Sequence, residues 1–190
     1  MGPINHSRDK IIQTATRLFQ MNGYNATGLN EIIKESQSSK GSFYYYFPNG
    51  KEQLALEAIQ SAKKSIMERL TATLAAVSDP VEAINQLISN IMGDLKRENK
   101  LQNISISLIA LETYLANERL RVACSDVFSS LSHVYAEKLV QNGFAEQKAE
   151  ELGIMIETVV EGAITLSVTR KDTVPLAAMR HMIAVLLRKK

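Results

Sequence analysis

Residues 38 to 51 read Ser-Ser-Lys-Gly-Ser-Phe-Tyr-Tyr-Tyr-Phe-Pro-Asn-Gly-Lys, which crowds hydroxyl and ammonium donors into one short stretch. Ser39, Ser42, Tyr44, Tyr45 and Tyr46 each carry an O–H, and Lys40 and Lys51 each carry a cation. Phosphate oxygens accept hydrogen bonds from all of these, and also from the free amides at a helix N-terminus. Gly41 would let another backbone approach closely. Phe43 and Phe47 stand four residues apart, so they share a stripe that can be buried while their neighbours project elsewhere. The chemistry on offer is the binding of a polyanion. Three consecutive tyrosines could instead pack against the next helix, and Tyr44 is expected to do so in part.

Other chemistries find no support. His6, His133 and His181 are far apart, with no Cys or carboxylate at ligand spacing, so neither a metal nor another cofactor is expected. Ser61-Ala62-Lys63-Lys64 matches the Ser-x-x-Lys pattern of penicillin-recognising enzymes, but no Ser-Asp-Asn or Lys-Thr-Gly follows. It reads as a solvated helix face. Cys124 has no cationic neighbour in sequence and reads as a small buried hydrophobe. One cysteine excludes an intrachain disulfide framework. No secretory signal and no uninterrupted apolar stretch of membrane-spanning length is read, so a cytoplasmic protein without membrane partners is expected. The net charge of +2 on 190 residues argues little by itself. Residues 1–51 hold six Lys or Arg against three acidic residues, a mild asymmetry that supports an anionic partner at that end.

The elements that must position the donor-rich stretch are legible. Leu29, Ile32 and Ile33 lie at helical spacing, and Gly28 with Glu31 supplies half of a capping box. The polar run Ser36 to Ser39 should end that helix, and a second should start near Lys40 and stop by Phe47, because Pro48 and Gly50 cannot extend it. That is a helix-turn-helix. A left-handed turn residue at Gln37 would be strained. Upstream, Ser7 reads as the N-cap of a helix burying Ile11, Ile12, Ala15, Leu18 and Phe19 and ended by Gly23.

Residues 10–33 and 38–54 together resemble the TetR family of bacterial transcriptional repressors: the first helix, the Gly-Tyr-x-Ala-Thr turn at Gly23 to Thr27, and the recognition-helix signature. Asn49-Gly50 before Lys51, with Leu120-Arg121-Val122-Ala123-Cys124 and Phe128, resembles the LmrA/YxaF subgroup, whose repressors respond to antibiotic-like or flavonoid-like small aromatics. The resemblance implies an all-α chain. A three-helix DNA-binding domain would span residues 1–51 and a helical effector-binding and dimerisation domain residues 52–190. It implies that Thr27, Ser39, Lys40, Gly41, Ser42, Tyr44, Tyr45, Tyr46 and Lys51 meet double-stranded operator DNA. Thr27, Lys40, Tyr45, Tyr46 and Lys51 would hold phosphates, and Ser42 with Tyr44 or Tyr45 would approach base edges.

Further along, helical periodicity marks residues 51–76, a helix opened by Asp79-Pro80, Glu118 to Gln141, Gln147 to about Thr169, and one begun by Pro175. Residues 101–115 mix apolar side chains with Ser105, Ser107 and Thr113 on nearly every face, as expected of a helix lining a cavity. Met92, Leu108, Leu111, Tyr114, Phe128, Tyr135, Met155 and Val159 are the expected effector contacts, with no fixed charge needed. A homodimer is expected through the last two helices, using Ile156, Val160, Ala163 and Leu166 with Met179, Met182, Ile183 and Leu186. The same stripes could serve the monomer core. A helical enzyme or carrier using the cavity alone is the alternative, and it leaves residues 38–51 without a role.

Overall fold

The computed structural model describes residues 3–98 and 106–187, with side chains described from Ser7 to Arg97 and from Ile106 to Leu187. The expected helix surface at Ser105 lies outside them. Nine α-helices and no strand are found among the described residues: α1 (Pro3–Asn22), α2 (Leu29–Glu35), α3 (Lys40–Tyr46), α4 (Gly50–Ala76), α5 (Pro80–Glu98), α6 (Ser107–Thr113), α7 (Glu118–Gln141), α8 (Glu146–Arg170) and α9 (Val174–Leu186). The protein is all-α, as the resemblance implies. Two boundaries differ from expectation. α1 begins at Pro3, so Ser7 lies inside it, proline being well tolerated in a first helical turn. The expected helix over 101–115 is confined, among described residues, to α6.

The chain divides into two compact units, residues 1–65 with 102–126, and residues 66–101 with 127–190. The first unit therefore runs beyond the expected boundary at residue 51. Its core holds Ile11, Leu18 and Phe19 of α1, Ile32 of α2, Phe43 and Phe47, and Leu54, Ala55, Ala58 and Ile59 of α4. Thr16 Oγ1 donates to the Ile12 carbonyl at 2.8 Å and lies 3.3 Å from that of Ala58, and Arg8 pairs with Glu57, which ties the start of α4 to α1. α6 and the first turns of α7 join this unit. Glu52 of α4 accepts from Asn117 Nδ2 at 2.9 Å and from Arg119 at 2.8 Å.

In the second unit, Asp79 Oδ1 caps α5 by accepting from the Glu82 amide at 2.9 Å. Gly143, at φ 83, turns the chain from α7 into α8. The Phe144 amide reaches the Leu139 carbonyl at 3.1 Å, closing a Schellman turn. A Cβ on Gly153 would collide with the Ser132 carbonyl oxygen, so glycine is what lets α8 lie against α7 there. α8 has a mean hydropathy of 1.5 over an eighteen-residue window and is long and apolar enough to cross a membrane by those two criteria. Glu157 and Glu161 interrupt the run, in keeping with the expectation of no uninterrupted apolar stretch of that length. Its buried side, from Ala149 through Ile156, Val160 and Ile164 to Ser167, belongs to the core of the unit.

Candidate nucleic-acid interface

The turn before α3 is built by an uncommon residue. Gln37 sits at φ 55, the left-handed conformation that the sequence marks as strained. It is the residue after the cap of a Schellman turn: the Ser38 amide donates to the Ile33 carbonyl at 3.0 Å and the Gln37 amide to the Lys34 carbonyl at 3.1 Å. Lys10 Nζ donates to Gln37 Oε1 at 2.7 Å and holds the exposed side chain. On the entry side of α2, the Gly28 amide donates to Glu31 Oε2 at 3.4 Å, the half capping box expected there.

Ser39 then caps α3, its Oγ accepting from the Ser42 amide at 3.0 Å. Phe43 and Phe47 are fully buried, with ring centroids 5.4 Å apart, and this anchors the helix by one side. Most of the remaining side chains are turned outward. Ser39, Lys40, Gly41, Tyr44 and Tyr45 are exposed, Tyr45 to 77%, while Ser42 and Tyr46 are partly covered. Tyr45 and Tyr46 meet edge to face at 5.1 Å. Tyr44 meets Phe43 edge to face at 5.2 Å, a contact within α3 itself and not the packing against the next helix expected of it. A Cβ on Gly41 would find only Ser39 Oγ, at 3.9 Å, so packing within the chain does not require glycine there.

Of the expected contacts, Thr27 is differently employed and Lys51 is partly covered. Thr27 is fully buried, and its hydroxyl donates to the Gly23 carbonyl at 2.7 Å and lies 3.3 Å from that of Leu18. Its hydroxyl locks the end of α1 to the following turn and has no surface for a phosphate. Lys51 is half-buried, with Nζ 4.3 Å from the centre of the Tyr24 ring. Burial draws its ammonium below the ordinary lysine range, and the charge of Glu112 works in the opposite direction. Glu112, on α6, accepts from the Asn25 amide at 2.8 Å, and its carboxylate fills the space a Cβ on Gly23 would need; the φ of 84 at Gly23 would itself strain any other residue. The setting of Lys51 by Tyr24 and Glu112 was not legible in the sequence, because Glu112 lies more than sixty positions away in a segment read as cavity lining.

The expected effector contacts divide between the units. Leu108, Leu111 and Tyr114 stand in the first, with Leu111 68% and Tyr114 53% exposed, and Thr113 returns its hydroxyl to the Ile109 carbonyl at 2.8 Å. In the second, Tyr135 is buried, Met92 and Phe128 are half-buried, and Met155 and Val159 are exposed. A cleft of about 480 Å³ in the second unit is lined by Leu95, Lys96, Ser167, Val168, Lys171, Asp172 and Thr173, none of them in that set.

The dimerisation set also needs correction. Ile156, Val160, Ala163, Met179 and Ile183 are at most 6% exposed within the single chain, so they are core. Leu166 and Met182 are surface residues and Leu186 is partly so. The outward apolar stripe of α8 runs through Ile154, Met155, Val159, Gly162 and Leu166, and Met182 and Val185 of α9 are exposed as well. No group of three or more His, Cys, Asp or Glu side chains placed to hold a metal is found among the described residues. Cys124 is buried, which pushes its thiol up to about 11.

Residues 11–58 match the family model for bacterial regulatory proteins of the tetR family, and residues 80–182 match the C-terminal domain of LmrA/YxaF-like transcriptional regulators. The chain is 47% identical to the HTH-type transcriptional regulator YxaF of Bacillus subtilis, over 97% of this chain and 96% of that protein. It is 41% identical to the HTH-type transcriptional regulator LmrA of the same organism, over 96% and 97% respectively. In three dimensions it is similar to E. coli NemR in its reduced form, with a TM-score of 0.82 at 18% identity, covering 93% of this chain and 94% of that one.

Proposed function

The chain belongs to the TetR family of bacterial transcriptional regulators, and from that premise we propose that it is a cytoplasmic repressor that binds a palindromic operator as a homodimer and leaves it when a small aromatic effector enters the second unit. It is a DNA-binding regulator and not an enzyme. The observation that carries the repressor reading is the division of α3 into a buried side and an outward side. The two phenylalanines hold the helix, and Ser39, Lys40, Gly41, Tyr44 and Tyr45 are left exposed. Lys40 and the tyrosine hydroxyls are suited to phosphates, Ser42 with Tyr44 or Tyr45 to base edges, and the open Cα of Gly41 to close passage of the DNA backbone.

A two-fold operator requires two copies of α3 at a fixed spacing, about 34 to 36 Å or a multiple of it. The partner that supplies the second copy is another molecule of this chain, docked on the outward stripe of α8 and α9. Gly162 supports this assignment, since a Cβ there would meet nothing within 4 Å and its own chain gives no reason for glycine. A close crossing with the partner's α8 does give one. Effector release follows if the ligand favours a form with the wrong spacing; a preference of ~100-fold supplies about 2.7 kcal/mol.

The test is a gel shift with the gene's own upstream region. Wild-type protein retards it, Lys40→Ala weakens binding to all sequences and lowers the salt slope by about one unit, and Ser42→Ala alters sequence preference. Equal binding by wild type, Lys40→Ala and Tyr45→Phe would remove α3 as the reading element.

A further inference from the structure

Three buried side-chain atoms have no protein hydrogen-bond partner among the described residues: Asn85 Oδ1 on α5, and Glu157 Oε1 and Ser167 Oγ on α8. All three belong to the second unit. Buried polar atoms are nearly always satisfied, and an orphaned carboxylate oxygen is the most costly of these to leave alone. Glu157 is 5% exposed. It leaves α8 one turn after Gly153, the point where that helix lies against the Ser132 carbonyl and Ala136 of α7. Tyr135 of α7, only 2% exposed, feels the charges of both Glu157 and Glu161, so a phenol ring and two carboxyl groups share one neighbourhood. Burial first, and Glu161 second, push the Glu157 carboxyl up to about 8. Packing alone would be better served by an apolar side chain of the same volume. Ser167 also faces open volume, in the cleft that it shares with Leu95 and Val168.

We propose that Glu157 is the residue that recognises the effector, its Oε1 accepting a hydrogen bond from an N–H or O–H donor on an otherwise apolar aromatic ligand. This rests on the effector reading above and corrects the expectation that no ionisable group is needed in the site. The donor can be a protonated aromatic amine or a neutral phenol, and proton balance separates them. An ammonium group pairs with the ionised carboxylate, so its binding releases the carboxyl proton to solvent and tightens as pH rises towards about 8. A phenol donates without that release.

Full-length protein is titrated with two pairs of probes, aminoacridine against acridine and hydroxyflavone against flavone, each pair differing in its donor. Wild type should bind the donor-bearing member of at least one pair about tenfold or more tightly than its counterpart. Glu157→Ala should abolish that preference, and Glu157→Gln should abolish it for the amine pair. Preference confined to the amine pair and rising with pH identifies an ammonium; preference for the flavone pair identifies a phenol. No preference in wild type, or an undiminished preference in Glu157→Ala, overturns the assignment. Should Glu157→Ala fail to fold, Glu157→Gln and the proton released when aminoacridine binds the wild type decide: no loss of amine preference in Glu157→Gln, or amine binding without proton release, overturns the assignment. Operator release is followed in the same samples by gel shift. Probes that depend on Glu157 but leave the operator bound overturn the effector reading and spare the recognition site. Probes that release operator equally from wild type and Glu157→Ala do the reverse.

Discussion

At the scale of the residue, two side chains are held in states that cost stability. Gln37 adopts a left-handed backbone conformation at φ 55 where glycine carries no penalty, and its bond to Lys10 is exposed. Gln37→Gly should therefore raise stability by about 1 kcal/mol in denaturant unfolding, seen as a higher midpoint at unchanged slope. Glu157 is the second. Its carboxyl titrates near 4.5 when unfolded and at about 8 when folded. The folded chain thus holds this proton more tightly, and the group's contribution is fully present below about pH 4.5 and is lost as pH rises to about 8. Glu161 on α8 and Tyr135 on α7 face it, and Glu161 adds to the shift. Glu157→Gln should flatten that part of the pH–stability curve, raising thermal stability at pH 8 more than at pH 5. Parallel curves for the two proteins would mean that Glu157 is solvated.

At the scale of the element, the glycines of α8 have opposite assignments. Gly153 is buried with the Ser132 carbonyl at its Cα, so Gly153→Ala should cost roughly 1 to 3 kcal/mol as α7 and α8 are forced apart. Gly162 is exposed with nothing near it. Gly162→Leu should leave helix content unchanged, or slightly raise it, and should weaken dimerisation in sedimentation at micromolar concentration. A dimer untouched by that change would place the interface elsewhere. α3 offers a similar contrast. Gly41→Ala fits the free chain and should stabilise its helix by up to about 1 kcal/mol, yet should impair operator binding.

At the scale of the whole molecule, the grouping of residues 102–126 with residues 1–65 gives the DNA-reading unit a part that is distant in sequence. Glu112 takes the Asn25 amide, and Asn117 and Arg119 take Glu52, so α6 and the start of α7 brace both ends of the helix-turn-helix. Glu112→Ala should lower operator affinity without removing any group that touches DNA. The loss should appear equally for all sequences, because the DNA contacts proposed for α3 are intact. A change in sequence preference would instead mean that Glu112 acts on α3 itself.

Helix-turn-helix and family were legible in the sequence because their signals are local. Phe43 and Phe47 four residues apart, the hydroxyl-rich turn, Pro48 after the last turn and Asp79-Pro80 before α5 each act through bonds within a few residues. The strain at Gln37 was equally local, a matter of which residue occupies a fixed turn. Tertiary structure alone decided which of two apolar stripes on α8 is core, since Ile156 and Val160 differ from Met155 and Val159 in what lies opposite and hardly in chemistry. It also decided that the Thr27 hydroxyl is spent on the Gly23 carbonyl, that Lys51 lies over Tyr24 near Glu112, and that Glu157 points inward. Burial and pairing depend on neighbours from distant parts of the chain, and helical periodicity records only that a side can be buried, not which neighbour buries it.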